Sequence, residues 1–269
     1  KDARATTPTT TLPAETKPKA TGAKAQNEAA LADLAVASGK FDAKLYDQAL
    51  GDARAVVEKY PTTPAAIDGY FLIARTLERL NRGSEALGTY IEIQSRFPGN
   101  PKAAEAAFLQ AKAVQAGSSK KTTEEARKLY GDVATNYPTS TWSARALAAK
   151  ADIERAGKIN VRDAALNASV PAALTTYRTL TELFPADSST EKAWWELGQM
   201  YEDIKRWDLA AAAYSELGIR FPKTRLDAWY QAAEIYERRL KDAGKAKAAY
   251  GMVPSTSPRF KDAQKKAGG

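Results

Sequence analysis

The chain has 269 residues, 40 Lys and Arg against 32 Asp and Glu, a formal net charge of +8, and neither cysteine nor histidine. That excludes disulfides, thiolate chemistry, the commonest zinc ligands and any Ser-His or Cys-His catalytic pair. There is no glycine-rich phosphate loop, no apolar run long enough to span a bilayer and no carboxylate pair suited to acid–base work, so no catalytic, metal or cofactor site is expected.

In chain order, residues 1–26, "KDARATTPTTTLPAETKPKATGAKAQ", are Thr, Pro, Ala and Lys with almost nothing to bury. They read as a disordered, extended tether. The opening Lys1 fits a mature product whose export signal or membrane anchor lay upstream, and fits an arbitrary boundary equally well.

Beyond Asn27 the chain is punctuated by aromatic–proline pairs: Tyr60-Pro61, Phe97-Pro98, Tyr137-Pro138, Phe184-Pro185 and Phe221-Pro222. Their prolines are 37, 40, 47 and 37 residues apart, a period that marks a repeat architecture. Eight residues before each later proline stands Tyr90, Tyr130, Tyr177 or Tyr214, and four before each tyrosine stands Ala86, Ala126, Ala173 or Ala210. Tyr250 and Ala246 repeat the arrangement before Pro258, and Ala53 and Ala49 take those places before Pro61, giving six units.

The units have the spacing of helical hairpins. In the second, Tyr70, Ile73, Ala74 and Leu77 lie on one helical face. In the third, Ala111 and Val114 hold that face, and "AGSSKKTTEE" (116–125) lengthens the turn. In the fourth, Ala149 is the expected small crossing residue, and an insertion, "GKINVRDAALNAS" (157–169), separates the helices. In the fifth, Trp194, Leu197, Gly198 and Tyr201 are followed by Ala210, Tyr214 and Pro222. Gly198 is expected to be small because the second helix crosses there, and Pro222 cannot continue a helix. In the sixth, Trp229, Ala232, Ala233 and Tyr236 repeat the face. The prediction is an all-α, right-handed α-solenoid of about six hairpins over residues 27–258, ending in a basic tail over 259–269.

The fifth unit resembles the tetratricopeptide repeat, W-x2-L-G-x2-Y, then A-x3-F, then P, with Tyr214 in place of the Phe. The resemblance implies a concave side lined by first helices that grips a peptide. One residue after the Trp position, an aromatic recurs as Phe71, Phe108, Trp195 and Tyr230, broken by Ala146 in the fourth unit. With Arg75, Gln199 and Glu234, these are the candidate partner-binding residues; the competing expectation packs the rings between adjacent first helices. Further polar positions, among them Glu78, Arg79, Glu202 and Asp203, alternate in sign and do not reproduce the Lys/Asn set of chaperone-binding members.

The net charge is +3 over 1–26 and +3 over 259–269, leaving +2 for the repeats. That is a mixed surface with basic ends, and nucleic acid is not expected as partner. "YPTTPAA", "FPGNPKAAEAA" and "YPTSTWSARA" look like bacterial envelope members, the outer-membrane-assembly lipoproteins and the coordinator of cell division that works with the Tol-Pal system. This implies a non-catalytic scaffold for a protein or peptide partner, periplasmic or outer-membrane-associated. The competing readings are a cytoplasmic scaffold, an appendage of a larger membrane translocation or insertion protein, an enzyme, and a membrane-surface or nucleic-acid binder acting through the basic tails.

Overall fold

A computed structural model of the protein describes residues 19–117 and 119–268. They fall into two compact units, one reaching Thr89 and one beginning at Tyr90.

The first unit holds α1 (Lys19–Asp42), α2 (Tyr46–Lys59), α3 (Ala66–Arg79) and the start of α4 (Gly83–Arg96). Helix α1 packs on α2, and α2 on α3. Residues 1–18 of the expected tether lie outside the described residues, but 19–26 are helical. Their Ala, Lys and Gln are good helix formers and simply extend α1. Helix α1 thus begins at Lys19, and Asn27 Oδ1 accepts from the Ala65 backbone N–H at 3.0 Å.

The second unit continues with α5 (Lys102–Gln115), α6 (Lys120–Asn136), α7 (Thr141–Ala156), β1 (Asn160–Asp163), β2 (Ala168–Pro171), α8 (Ala172–Leu183), α9 (Thr190–Asp203), α10 (Trp207–Arg220), α11 (Ala228–Ile235), α12 (Ala243–Gly251) and α13 (Phe260–Gly268). Helix α11 runs on into a π-helical turn, Tyr236–Leu240. Each helix packs on the next, α5 on α6 through α12 on α13. Among the described residues the fold is all-α apart from one two-stranded hairpin, with consecutive helices packed in solenoid-like hairpins within each unit.

The aromatic–proline pairs stop the second helices in one repeated geometry. Tyr60, Tyr137, Phe184 and Phe221 have φ of −127°, −131°, −131° and −124°, with ψ near 50–65°. Each donates its N–H to the carbonyl four residues back, closing the last helical turn before proline, which has no N–H to give. The hairpin turns use a different device. Lys44, Asn81, Lys158, Lys205 and Lys241 adopt left-handed φ between 50° and 63°. After four of them, the next N–H returns to the carbonyl five residues back: Leu45 to Lys40, Arg82 to Leu77, Ile159 to Glu154 and Arg206 to Tyr201. This satisfies a carbonyl the helix end would orphan. None of the described glycines has positive φ, so the purpose of the glycines is not to relieve turns.

Gly198 shows what that is. A Cβ there would land on the Tyr214 ring, and one at Gly218 would land on the Trp229 indole. At Gly198 the small residue makes room for an aromatic side chain of the second helix, which crosses there as expected.

Three further segments differ from expectation. The lengthened turn 116–125 is mostly the first turns of α6, nucleated by a capping box: Ser119 Oγ accepts from Thr122 N at 3.1 Å, and Thr122 Oγ1 from Ser119 N at 2.9 Å. The insertion 157–169 is a β-hairpin with Val161 opposite Val170. Asp163 in β1 holds it down, accepting from Leu166 N at 2.8 Å and from Arg178 Nη2 on α8 at 2.6 Å. The basic tail 259–269 is mostly α13, whose Ala263 is fully buried against Tyr230, Ala233 and Tyr250.

Candidate protein-interaction face

The five periodic tyrosines are among the most buried side chains of the second unit. A buried phenol needs a partner for its hydroxyl, and four find one on the first helix of their own hairpin or its continuation. Tyr130 donates to Gln115 Oε1 at 2.8 Å, Tyr177 to Asp152 Oδ1 at 3.1 Å, Tyr214 to Glu202 Oε1 at 2.7 Å and Tyr250 to Glu237 Oε2 at 2.7 Å. Burial pushes the Tyr130 and Tyr250 phenols up to about 12. Burial also raises Tyr177 and Tyr214, and their carboxylate partners raise them further.

Seven residues before each acceptor, two turns back on the same helix, stand Phe108, Arg145, Trp195 and Tyr230. The latches therefore fix the register of the fourth hairpin. Arg145 holds the place assigned to Ala146, which is fully buried, and Ala148 holds the crossing place assigned to Ala149. The alanine-rich run around them left the register ambiguous by one residue.

The rings of this row rest on the latch tyrosine of their own hairpin. Centroid separations are 5.6 Å for Phe108–Tyr130, 5.0 Å for Trp195–Tyr214 and 5.6 Å for Tyr230–Tyr250. Phe108 also meets Trp142 at 5.2 Å, and the Arg145 guanidinium lies 4.4 Å over that indole. Phe108 and Trp195 are half-buried, and Gln199, one turn beyond Trp195 on α9, is exposed. Tyr230 is different. Its hydroxyl donates to Asp262 on α13 at 2.5 Å, and Arg259 and Lys266 sit over its ring. Glu234, one turn on, pairs with Arg238 at 2.9 Å, and Lys266 reaches Glu237 at 3.2 Å. The terminal helix covers this end of the row.

Phe71 and Arg75 belong to the first unit. Phe71 is buried, and Arg75 is exposed with its guanidinium 5.1 Å over Phe41. Arg75 lines a cleft with Phe41, Tyr46 and Arg79.

Ion pairs join successive first helices of the second unit: Lys192 to Asp152 at 2.8 Å and Arg155 to Glu196 at 2.7 Å tie α9 to α7. Glu154, nearly fully buried, accepts from Thr176 at 2.6 Å and Arg127 at 3.1 Å, joining α6, α7 and α8. Among the described residues no group of Asp and Glu is arranged to hold a metal ion, and no helix is long and apolar enough to cross a membrane. The latches themselves escaped sequence reasoning. Their signal was the Tyr in the place of the pattern's Phe, with Gln, Asp or Glu 12–25 residues earlier.

A family profile described as tetratricopeptide repeat matches residues 192–224 and 227–259. No curated protein matches in sequence. Among solved structures, the chain is similar to a tetratricopeptide repeat protein from Parabacteroides merdae, at 13% identity over 89% of this chain and 90% of that one, TM-score 0.47. It is similar to PilF of Pseudomonas aeruginosa, at 13% identity over 90% and 99% of the two chains, TM-score 0.47. It is also similar to YrrB, described as a TPR protein with an unusual peptide-binding site, at 15% identity over 79% and 96%, TM-score 0.44. The fifth and sixth helical hairpins thus match the tetratricopeptide repeat.

Proposed function

We propose that the protein is a non-catalytic interaction scaffold, and that its second unit binds an extended segment of a partner protein along the exposed side of its first helices. The observation that carries this is Trp195, half-buried on Tyr214 with the exposed Gln199 one turn away. An aromatic ring held from below and open above is the usual anchor of a protein interface. Phe108, Trp142 and Arg145 repeat the arrangement two hairpins earlier. Tyr230 is not an anchor in this reading, because α13 engages it. The resemblance of "YPTTPAA", "FPGNPKAAEAA" and "YPTSTWSARA" to envelope proteins supports placing the scaffold in a bacterial envelope assembly, at the periplasm or outer membrane.

A photoreactive residue at Gln199 tests the face directly. It should capture a partner in intact cells, whereas the same residue at Ile219, exposed on the second helix α10, should not. Capture from Ile219 alone would overturn the proposal. Cell fractionation tests the compartment: recovery with the cytoplasm would remove the envelope assignment and leave the scaffold.

A further inference from the structure

The two departures from the repeat, the lengthened third unit and the insertion in the fourth, face each other. The end of α5 (Gln115), the start of α6 (Lys120, Thr123, Glu124) and the end of α7 with its exit toward β1 (Asp152, Ile153, Ala156, Gly157, Ile159) line one cleft of about 740 Å³. That is the size range of ligand-binding clefts. A seven-residue separation sets Gln115 and Asp152 about 10 Å beyond Phe108 and Arg145 along their helices, so the cleft lies at the turn edge, off the aromatic row. Its apolar floor is Ile153, 7% exposed, and the half-buried Ile159.

The charges around it are unequal in availability. Both Glu124 oxygens are taken by Arg127, at 2.5 and 3.0 Å. Asp152 Oδ1 receives both Lys192, at 2.8 Å, and the Tyr177 hydroxyl. Lys120 in the lining, and Lys121 and Lys158 beside lining residues, are exposed and form no ion pair with any described residue. Gln115 has its carbonyl engaged by Tyr130 and keeps its amide N–H groups to donate. The unpaired charge is therefore mostly cationic, three lysines against Glu125 and the second Asp152 oxygen, and is set around two isoleucines.

The geometry points to a second docking site here, for an extended acidic peptide segment that seats one apolar side chain against Ile153 and Ile159 while its carboxylates meet Lys120, Lys121 and Lys158. The flanking charges provide long-range attraction and the apolar contact provides selectivity. A nucleic acid or an anionic lipid surface would use the lysines without the isoleucines, and the test separates the two.

The probe is a fluorescein-labelled nine-residue peptide with a central leucine flanked by four glutamates on each side, read by anisotropy with the full chain. It should bind at least about tenfold tighter than the same peptide with central alanine, and its lysine-flanked counterpart should not bind. Lys120→Glu with Lys121→Glu should weaken binding at least about tenfold. Acidic residues suit the first turn of α6, so that variant keeps the fold. Gln199→Arg, one turn beyond Trp195 on the face of the aromatic row, should leave the affinity unchanged. No saturation by roughly 1 mM, equal binding of the alanine peptide, binding retained in the double charge reversal, or loss on Gln199→Arg would each overturn the site. The last result would also assign the peptide to the row of the scaffold proposal.

Discussion

Tyr214 Oη donates to Glu202 Oε1 at 2.7 Å, from the middle of α10 to the end of α9. The ring is 1% exposed and packs under Trp195 on one side and against the backbone of Gly198 on another. One side chain therefore closes the hairpin, seats the aromatic anchor and explains the glycine. Removing only its oxygen, as in Tyr214→Phe, should cost about 1–2 kcal/mol, since a hydrogen bond to a charged group is worth more than a neutral one. Tyr130→Phe, which loses a bond to neutral Gln115, should cost less, about 0.5–1.5 kcal/mol. Chemical denaturation of the two variants gives the order, and a larger loss at Tyr130 would contradict the charge-assisted latch.

The same latches predict an alkaline limit. In the folded state burial raises the Tyr130 and Tyr250 phenols to about 12, above the value near 10 of an exposed tyrosine. A raised phenol pKa means the folded state prefers the protonated form. Its stabilisation is complete below about pH 10 and is lost as pH climbs from there through about 12. Helicity should hold to about pH 10 and then fall, and tyrosinate absorbance should rise in two phases, the second coinciding with the loss of helix. A single phase complete while the protein is still helical would show the latch phenols to be ordinary.

Glycine substitutions separate packing from propensity. In a helix, Ala is favoured over Gly by about 1 kcal/mol. At Gly51 in α2 an added Cβ meets nothing within 4 Å, so Gly51→Ala should stabilise by about 0.5–1 kcal/mol. At Gly198 it meets the Tyr214 ring, which Glu202 holds in place. Gly198→Ala should therefore destabilise, with overpacking of about 1–3 kcal/mol exceeding the propensity gain. The opposite sign at Gly198 would mean that the ring swings aside freely.

The periodic features were legible because each has a local cause. Proline after an aromatic ends a helix wherever it occurs, and the buried Tyr and Ala recur at fixed offsets because successive hairpins pack alike. The latch acceptors were not legible, because Gln115, Asp152, Glu202 and Glu237 share only the capacity to accept a hydrogen bond. Such a role tolerates different residues and, across the insertion, a different separation. Arg145 was missed for a related reason: in "WSARALAAKA" alanines occupy both neighbouring registers, and only the Tyr177–Asp152 bond decides between them. The terminal helix α13 has a single fully buried residue, Ala263, too weak an apolar pattern to announce a helix, so its basic residues read as a tail until their partners Tyr230 and Glu237 were placed.

The insertion in the fourth hairpin has one buried charged anchor, in addition to Val170, which packs into the core of the surrounding helices. Asp163 is 3% exposed and pairs with Arg178 and with the Leu166 N–H. The Leu166 N–H foremost, and the Arg178 guanidinium with it, hold its carboxyl below the ordinary carboxylate value. A depressed carboxylate contributes stability that is present above the unfolded value near 3.9 and is lost as pH falls through the folded one. Acid should therefore loosen the β-hairpin below about pH 4, ahead of the helices around it. Asp163→Ala should do the same at neutral pH, leaving the Arg178 charge without its partner at a cost of about 1–3 kcal/mol. Hydrogen exchange at Val161 and Val170, which face each other in the two strands, should accelerate at least tenfold, while amides in α9 and α10 keep their protection. Equal acceleration throughout would show that the insertion and the helices unfold as one unit, and unchanged exchange at Val161 and Val170 would show that the strand pairing holds without Asp163.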